Sequence, residues 1–253
     1  MIANTQDQIE HLRTAGRALA EVLQELSKQV RPGITTAALD LLAEEGIRRR
    51  GCKPAFLGYK PEGMKRPFPA VLCVSINEEV VHGIPSQDRV LENGDIVSLD
   101  LGLSYQGYYV DSAVTVCAGE CDADAKKLIE TTREALNVAI AAAKVGNHVG
   151  DIGAAVETVS KRTKLSIVED LGGHAVGKAV HEKPFIANFG NAGEGEKIVE
   201  GMVLALEPML AEGNGAVTLL GDDWTYSMRD DSRAAHFEHT ILVTKDGPEI
   251  LTK

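Results

Sequence analysis

The chain has 253 residues, of which 44% are hydrophobic and 25% charged, and 26 Lys and Arg against 37 Asp and Glu leave a formal net charge of −11. That composition belongs to an ordinary globular protein, long enough to fold around its own core without a disulfide or a metal as staple. The acidic excess excludes a binder that must neutralise nucleic-acid phosphates, and no apolar run reaches the ~18 residues of a membrane helix. The opening stretch MIANTQDQIEHLRTAG is polar where a secretion signal carries its apolar core. Four Cys, none in a CxxC pair, fit neither a disulfide scaffold nor a zinc knuckle. Cys117 and Cys121, the closest pair, are read as reduced and without a role, and a cytoplasmic chain is expected.

The first element is a helix over 5 to 30, opened by Thr5 and Gln8 as a capping box, with Ile9, Leu12, Ala15, Leu19, Val22, Leu26 and Val30 at helical spacing. Pro32 and Gly33 stop it. A second helix over 36 to 49 carries Leu39, Leu42 and Ile47 and ends before Gly51. Residues 58 to 69 read as a loop rich in Pro and Gly. Strands are expected at 70–76, 80–83, 96–101 and 108–117, then helices over 122–144 and 149–162. Further strands are expected near 166–169, 178–182, 202–208, 215–220 and 236–244. No linker or low-complexity segment divides the chain, so residues 1–253 are read as one catalytic domain of mixed α and β.

A weak internal repeat runs through this order. Gly33 and Gly146 each end a helix and precede an apolar residue by six, Leu39 and Ile152. GDIVSLD, ending at Asp100, aligns with GMVLALE, ending at Glu207, at a nearly equal offset. The repeats are far too long for a solenoid, and a duplicated fold and chance similarity are both open on this alone.

The repeat places an acid at the same point of each half. Asp100 sits in an otherwise apolar strand, and Asp111 follows after the turn Tyr105-Gln106-Gly107. A turn centred between 105 and 106 would oppose the two acids directly on antiparallel strands. Like charges so placed need compensation, and a pair of divalent cations would supply it. One Asp in a turn and the other paired with an Arg is the alternative. In the second half, Glu207 ends the strand MVLALE, and Glu238 opens EHTILVT much as Asp111 opens DSAVTV. Between them, GGHAVGKAVHEKP holds His174 and His181, and NEEVVHGIP places His82 at a loop entrance. Histidine in a Gly-rich segment beside strands is a reasonable metal ligand. His11, His148, His236 and His239 are read as surface or structural. Oxygen-rich ligation with one imidazole suits Mn, Fe, Co or Zn.

Together, NEEVVHGIP, SLDLG with GYYVDSAVTV, GGHAVGKAVHEKP, LALEPML and FEHTILVT resemble the type I methionine aminopeptidases of family M24, in family order over residues 77 to 244. The resemblance implies an α+β pita-bread (creatinase/aminopeptidase) fold, with two pseudo-symmetric αβ halves around a dinuclear metal site. It implies a metallo-exopeptidase that removes the initiator methionine of nascent chains. Asp111 and Asp100 would bind one metal, with Asp100 near the substrate amino terminus. Glu238 would bridge both metals with Asp111, and His174 and Glu207 would complete the other. His82 would contact the scissile amide or its leaving nitrogen, and His181 would polarise the carbonyl. Glu207 would also relay the proton from water to the leaving amine. Cys73, Phe68 and Trp224 match positions lining the methionine pocket, with Tyr59 and Phe56 as weaker candidates; plain core packing is the alternative for each. Two divalent ions are implied, drawn from Co, Mn, Fe or Zn, with a monomer as default and ribosome contact only as the family's role on nascent chains.

The family pattern is departed from in three places. Gly-His-Gly-Ile-Gly reads Gly173-His174-Ala175-Val176-Gly177, where the Cβ of Ala175 is expected to narrow the cleft. Val180 replaces an aromatic, and Pro61 to Arg66 is extra length at the pocket rim. Two other readings compete: an Xaa-Pro aminopeptidase or dipeptidase of the same fold, and a non-catalytic pita-bread binding protein. The first usually carries an extra N-terminal domain and the second typically loses ligands.

Overall fold

The computed structural model describes all 253 residues. In chain order it contains α1 (Gln6–Ser27), α2 (Thr36–Arg49), β1 (Lys53–Pro54), β2 (Leu72–Ile76), β3 (Glu79–Val81), β4 (Ile96–Tyr105), β5 (Tyr108–Cys117), α3 (Ala123–Ala142) and α4 (Val149–Thr163). There follow β6 (Ser166–Ile167), β7 (Gly172–Ala175), β8 (Glu182–Ala187), β9 (Val203–Leu206), β10 (Met209–Ala211) and β11 (Val217–Leu219). β12 (Tyr226–Met228), β13 (Ala234–His236), β14 (Glu238–Thr244) and β15 (Gly247–Ile250) complete it. No helix is long and apolar enough to cross a membrane.

The main sheet runs β1-β4-β5-β14-β9-β7-β8, with β2 added to β4 and β15 to β14. Two three-stranded sheets, β13-β10-β6 and β11-β12-β3, complete the β structure. A core of 30 buried residues joins α1 and α2 to β2 and β4 through Leu12, Leu19, Leu39, Leu72, Leu99 and Leu101. A second, of 26 residues, joins α3 and α4 to β9 and β14 through Leu128, Leu136, Val156, Leu204 and Ile241. Because β4 turns Leu99 and Leu101 toward α1 and α2, strand alternation sends Ser98, Asp100 and Gly102 to the opposite face.

The internal repeat is visible in the backbone. Gly33 and Gly146 have φ of +87° and +95°. Their N–H groups donate to Leu91 O at 2.8 Å and Ile198 O at 3.0 Å. Next to them, Thr35 bridges Val90 and His148 bridges Lys197. Each half thus ends its first helix and ties the start of its second to a later segment in the same way. This is the α+β pita-bread architecture of two related halves.

Several element boundaries differ from the predicted ones, each for a local reason. α1 ends at Ser27 rather than 30, because Gln29 N–H turns back to Leu26 O (2.8 Å) and Arg31, preceding Pro32, is kept out of the helical region. Residues 178–181 form a loop, and strands lie on either side of it at Gly172–Ala175 and Glu182–Ala187. Two glycines hide the first of these, yet a Cβ on Gly173 would strike the carbonyl of Ala205. The 202–208 run holds β9 alone, and Pro208, which cannot donate to a ladder, separates it from β10. β15, beyond the expected strands, pairs with β14 through a two-residue turn at Lys245-Asp246. Cys117 and Cys121 are joined by a disulfide rather than reduced, because the intervening turn brings their Cα atoms to 5.9 Å, within the bridging range.

Candidate metal centre

The turn between β4 and β5 centres on Gln106-Gly107, which pairs Tyr105 with Tyr108. Asp100 therefore faces Ala113, and Asp111 faces Gly102. The direct opposition expected from the sequence is corrected to a diagonal one, because the turn lies one residue later. The two carboxyls still share a face and come within hydrogen-bonding contact. Ala113 also faces Glu238 on β14, so Asp100, Ala113 and Glu238 form one row across three strands. Asp111 does not open its strand but stands fourth in β5.

The other half contributes from β7 and β9. His174 pairs with Ala205, and Glu207 follows directly after β9. Ligand-type atoms of Asp111, His174 and Glu238 all lie within 4.8 Å of one another. His174 Nε2 stands 3.4 Å from Glu207 Oε1. Its other nitrogen, Nδ1, lies 3.0 Å from Ala175 O, which holds the proton there and leaves the Nε2 lone pair facing the acids. Behind them, Asp111 N–H donates to Thr240 Oγ1 at 2.8 Å, and that hydroxyl donates to Asp111 O at 2.7 Å. Ser112 Oγ donates to Glu238 O at 2.7 Å. These bonds lock β5 to β14 at the level of the acids.

Burial dominates the electrostatics. It pushes the carboxyls of Asp100, Glu207 and Glu238 well above the ordinary range, with further increments from their neighbours' charges, and raises Asp111 to about 7. Burial lowers His174 to about 3. Asp100 Oδ1 and Glu238 Oε1 are buried without a hydrogen-bond partner. Such atoms are costly to leave unmatched, and four carboxyls cannot ionise together in a dry site without positive charge. Carboxylate oxygens with one imidazole nitrogen therefore fit divalent first-row cations.

All the residues singled out from the sequence line one cleft of about 720 Å³ including its open mouth. Its apolar end is a cluster of Phe56, Phe68, Ala70, Cys73, Val180 and Trp224. Phe68 packs edge-on to Trp224 at 5.2 Å and to Phe56 at 6.4 Å between ring centroids. A Cβ on Gly102 would stand 2.6 Å from Phe56 Cε1, so the glycine facing Asp111 makes room for that ring. His82 follows β3 with φ of +60°, a strained conformation that swings its ring between Trp224 and Tyr226. Tyr59 does more than line the wall: its hydroxyl lies 2.7 Å from His181 Nδ1. The His181 ring in turn lies 4.4 Å from that of His174.

One of the departures resolves differently from expectation. Ala175 points away from the cleft into the α3/α4 core, opposite Leu204, because it alternates with His174; it does not narrow the site. The 61–66 loop is tied down, with Lys65 Nζ at 3.1 Å and Arg66 at 3.0 Å from Asp223. Val180 is buried in the apolar cluster.

His236, expected to be a surface or structural residue, is not on the surface. It is 1% exposed, with Nε2 3.4 Å from Glu207 Oε2. The sequence offers only its place two residues before Glu238, on β13 rather than on β14. His11 packs on Tyr105 and Tyr108, His148 caps α4, and His239 meets Thr252, so their structural reading stands.

The model of metallopeptidase family M24 matches residues 10–245. A methionine aminopeptidase of Aquifex aeolicus is 45% identical over 251 residues, 98% of this chain and 97% of that one. The crystal structure of a methionine aminopeptidase from Thermotoga maritima superposes with a TM-score of 0.95 at 43% identity, covering 100% of both chains. The prolidase of Pyrococcus horikoshii shares the fold at a TM-score of 0.75, but at 22% identity and with 63% of its chain covered.

Proposed function

The chain belongs to metallopeptidase family M24, as one of its methionine aminopeptidases, and on that premise we propose that it removes the N-terminal methionine of nascent proteins and peptides by attack of water on the first peptide bond. The observation that carries this is the convergence of Asp111, His174 and Glu238 within 4.8 Å at the floor of a cleft whose far wall is Phe68, Cys73 and Trp224.

Asp100 and Asp111 would hold one divalent cation, His174 and Glu207 a second, with Asp111 and Glu238 shared between them. Cations there would polarise the scissile carbonyl and lower the pKa of water from 15.7 toward about 7. Asp100 orients the substrate's free amino group, which measures the distance to the first amide. Glu207 takes the proton of the attacking water and passes it to the leaving nitrogen as the C–N bond breaks. His181 meets the Tyr59 hydroxyl at Nδ1 (2.7 Å); with that hydroxyl as donor, its Nε2–H is free to donate to the carbonyl oxygen where negative charge develops. His82 contacts the leaving nitrogen. Phe68, Cys73 and Trp224 hold the thioether, which packs well on aromatic edges and sulfur.

Residues 1–253 act as one catalytic unit, a cytoplasmic monomer that meets nascent chains transiently at the ribosome. The resident metal pair is drawn from Co, Mn, Fe and Zn. Hydrolysis of Met-Ala-Ser against an Xaa-Pro peptide tests the assignment. Release of Met with no cleavage before proline is expected; preference for the Xaa-Pro peptide would make the chain a prolidase-type enzyme.

A further inference from the structure

The reaction described above makes no use of the buried imidazole of His236, 1% exposed. His236 ends β13, and its backbone is clamped under the acid row. Its N–H donates to Thr115 Oγ1 at 2.9 Å, and Thr115 Oγ1 lies 2.8 Å from both His236 O and Ser98 Oγ. Ser98 and Thr115 are register partners on β4 and β5, two residues from Asp100 and Ala113. The ring is thus held against the site by its own backbone, not by side-chain bonds. Neither Nδ1 nor Nε2 has a hydrogen-bond partner. An imidazole so buried loses free energy unless it finds one. The polar atom paired with Nε2 is Glu207 Oε2, at 3.4 Å.

Glu207 has little else to fix it. It lies outside any strand, just past β9, and precedes Pro208, which removes a ladder donor at that point. The backbone carbonyl of Glu207 accepts from Asn188 Nδ2 at 3.1 Å, which anchors the chain but not the carboxylate. Its two oxygens are flanked by two imidazoles, Oε1 by His174 and Oε2 by His236, at the same 3.4 Å. His174 belongs to the ligand group facing the other acids, whereas His236 stands behind Glu207.

We propose that His236 is a positioning residue: its Nε2–H donates to Glu207 Oε2, so that Oε1 is presented to the cation shared with His174. This rests on the metallopeptidase reading above. Outer-shell partners of this kind orient ligating carboxylates, and their loss weakens metal binding by about 10–100-fold.

The test uses the full chain stripped of metal, as wild type, His236→Leu, His236→Phe and His236→Gln. Co(II) is titrated by calorimetry, and the visible spectrum of the cobalt-loaded protein is recorded. Leu and Phe, which remove the donor, are expected to weaken one of the two cobalt sites by about 10–100-fold and to alter the spectrum. Gln, which keeps an N–H donor, is expected to restore the wild-type affinity and spectrum. The Phe variant keeps the ring volume should the Leu variant fail to fold. Unchanged cobalt affinity and spectrum in a folded Leu or Phe variant would overturn the proposal, as would failure of Gln to restore them. A wild-type chain that takes up no cobalt would instead overturn the metallopeptidase reading itself.

Discussion

The Tyr59 hydroxyl lies 2.7 Å from His181 Nδ1, so a residue of the rim loop holds a cleft histidine by a direct hydrogen bond. Removing that hydroxyl frees the ring without emptying the pocket. We expect Tyr59→Phe to lower kcat on Met-Ala-Ser by about 10–100-fold, with KM changed little, as for the loss of an outer partner that orients a reacting group. Steady-state kinetics at fixed metal concentration reads the split. A rise in KM alone would assign Tyr59 to the pocket wall instead.

Asp111 stands in one group with His174 and Glu238, and it is 3% exposed. Asp111→Asn should abolish metal-dependent peptidase activity. It should also stabilise the metal-free protein at pH 8, because the amide removes a charge that burial opposes. Each kcal/mol relieved corresponds to about 2–4 °C in Tm for a chain of this size. Thermal melts in chelator check the sign, and a lower Tm for the variant would contradict it.

The pH dependence of the metal-free chain follows from the same shifts. The carboxyls of Asp100, Glu207 and Glu238 are raised well above their unfolded values. Together with Asp111, raised to about 7, they keep protons in the folded state at pH values where the unfolded state has released them, and stability falls as pH rises through the folded values. The buried imidazoles of His82, His174 and His236 are depressed to about 4, 3 and 3, so they favour folding fully above their unfolded pKa near 6.5 and add no slope beyond pH 7. Calorimetric Tm in chelator should thus fall from pH 7 to 9. Saturating Mn(II) should remove or reverse that fall, because cations bind the ionised carboxylates.

Trp224 closes the apolar end of the cleft against Phe68 and is 5% exposed. Trp224→Leu keeps the site apolar but loses the fitted wall. The kcat/KM for Met at the first position should drop by about 10–200-fold relative to smaller unbranched side chains, the scale on which apolar pockets discriminate. A peptide panel reads the ratio, and an unchanged preference would move the methionine pocket elsewhere.

Much of this was legible in the sequence because it depended on local pattern. The alternation around Asp100, the glycines at 33 and 146, and the strand after each acid are short-range signals, and the structure keeps them. What escaped required knowledge of the partner strand. Asp100 and Asp111 are diagonal because the turn sits one residue later, a shift that spacing alone does not reveal. Ala175 was expected in the cleft because it neighbours a ligand residue, yet alternation along β7 turns it into the core. β7 itself was hidden by Gly172 and Gly173, whose missing side chains admit Phe185 and the carbonyl of Ala205. His236 was passed over because a lone histidine beside an apolar run is ordinarily structural; only its closeness to Glu207 across the fold marks it out.

The central claim is that the acids and His174 form a catalytic metal centre. Its most direct test is the hydrolysis of Met-Ala-Ser by the metal-stripped chain as Co(II), Mn(II), Fe(II) or Zn(II) is added singly. The expected result is no cleavage without metal, and release of Met that rises with added ion to saturation. Full activity in chelator, or none with any of the four ions, would contradict the account.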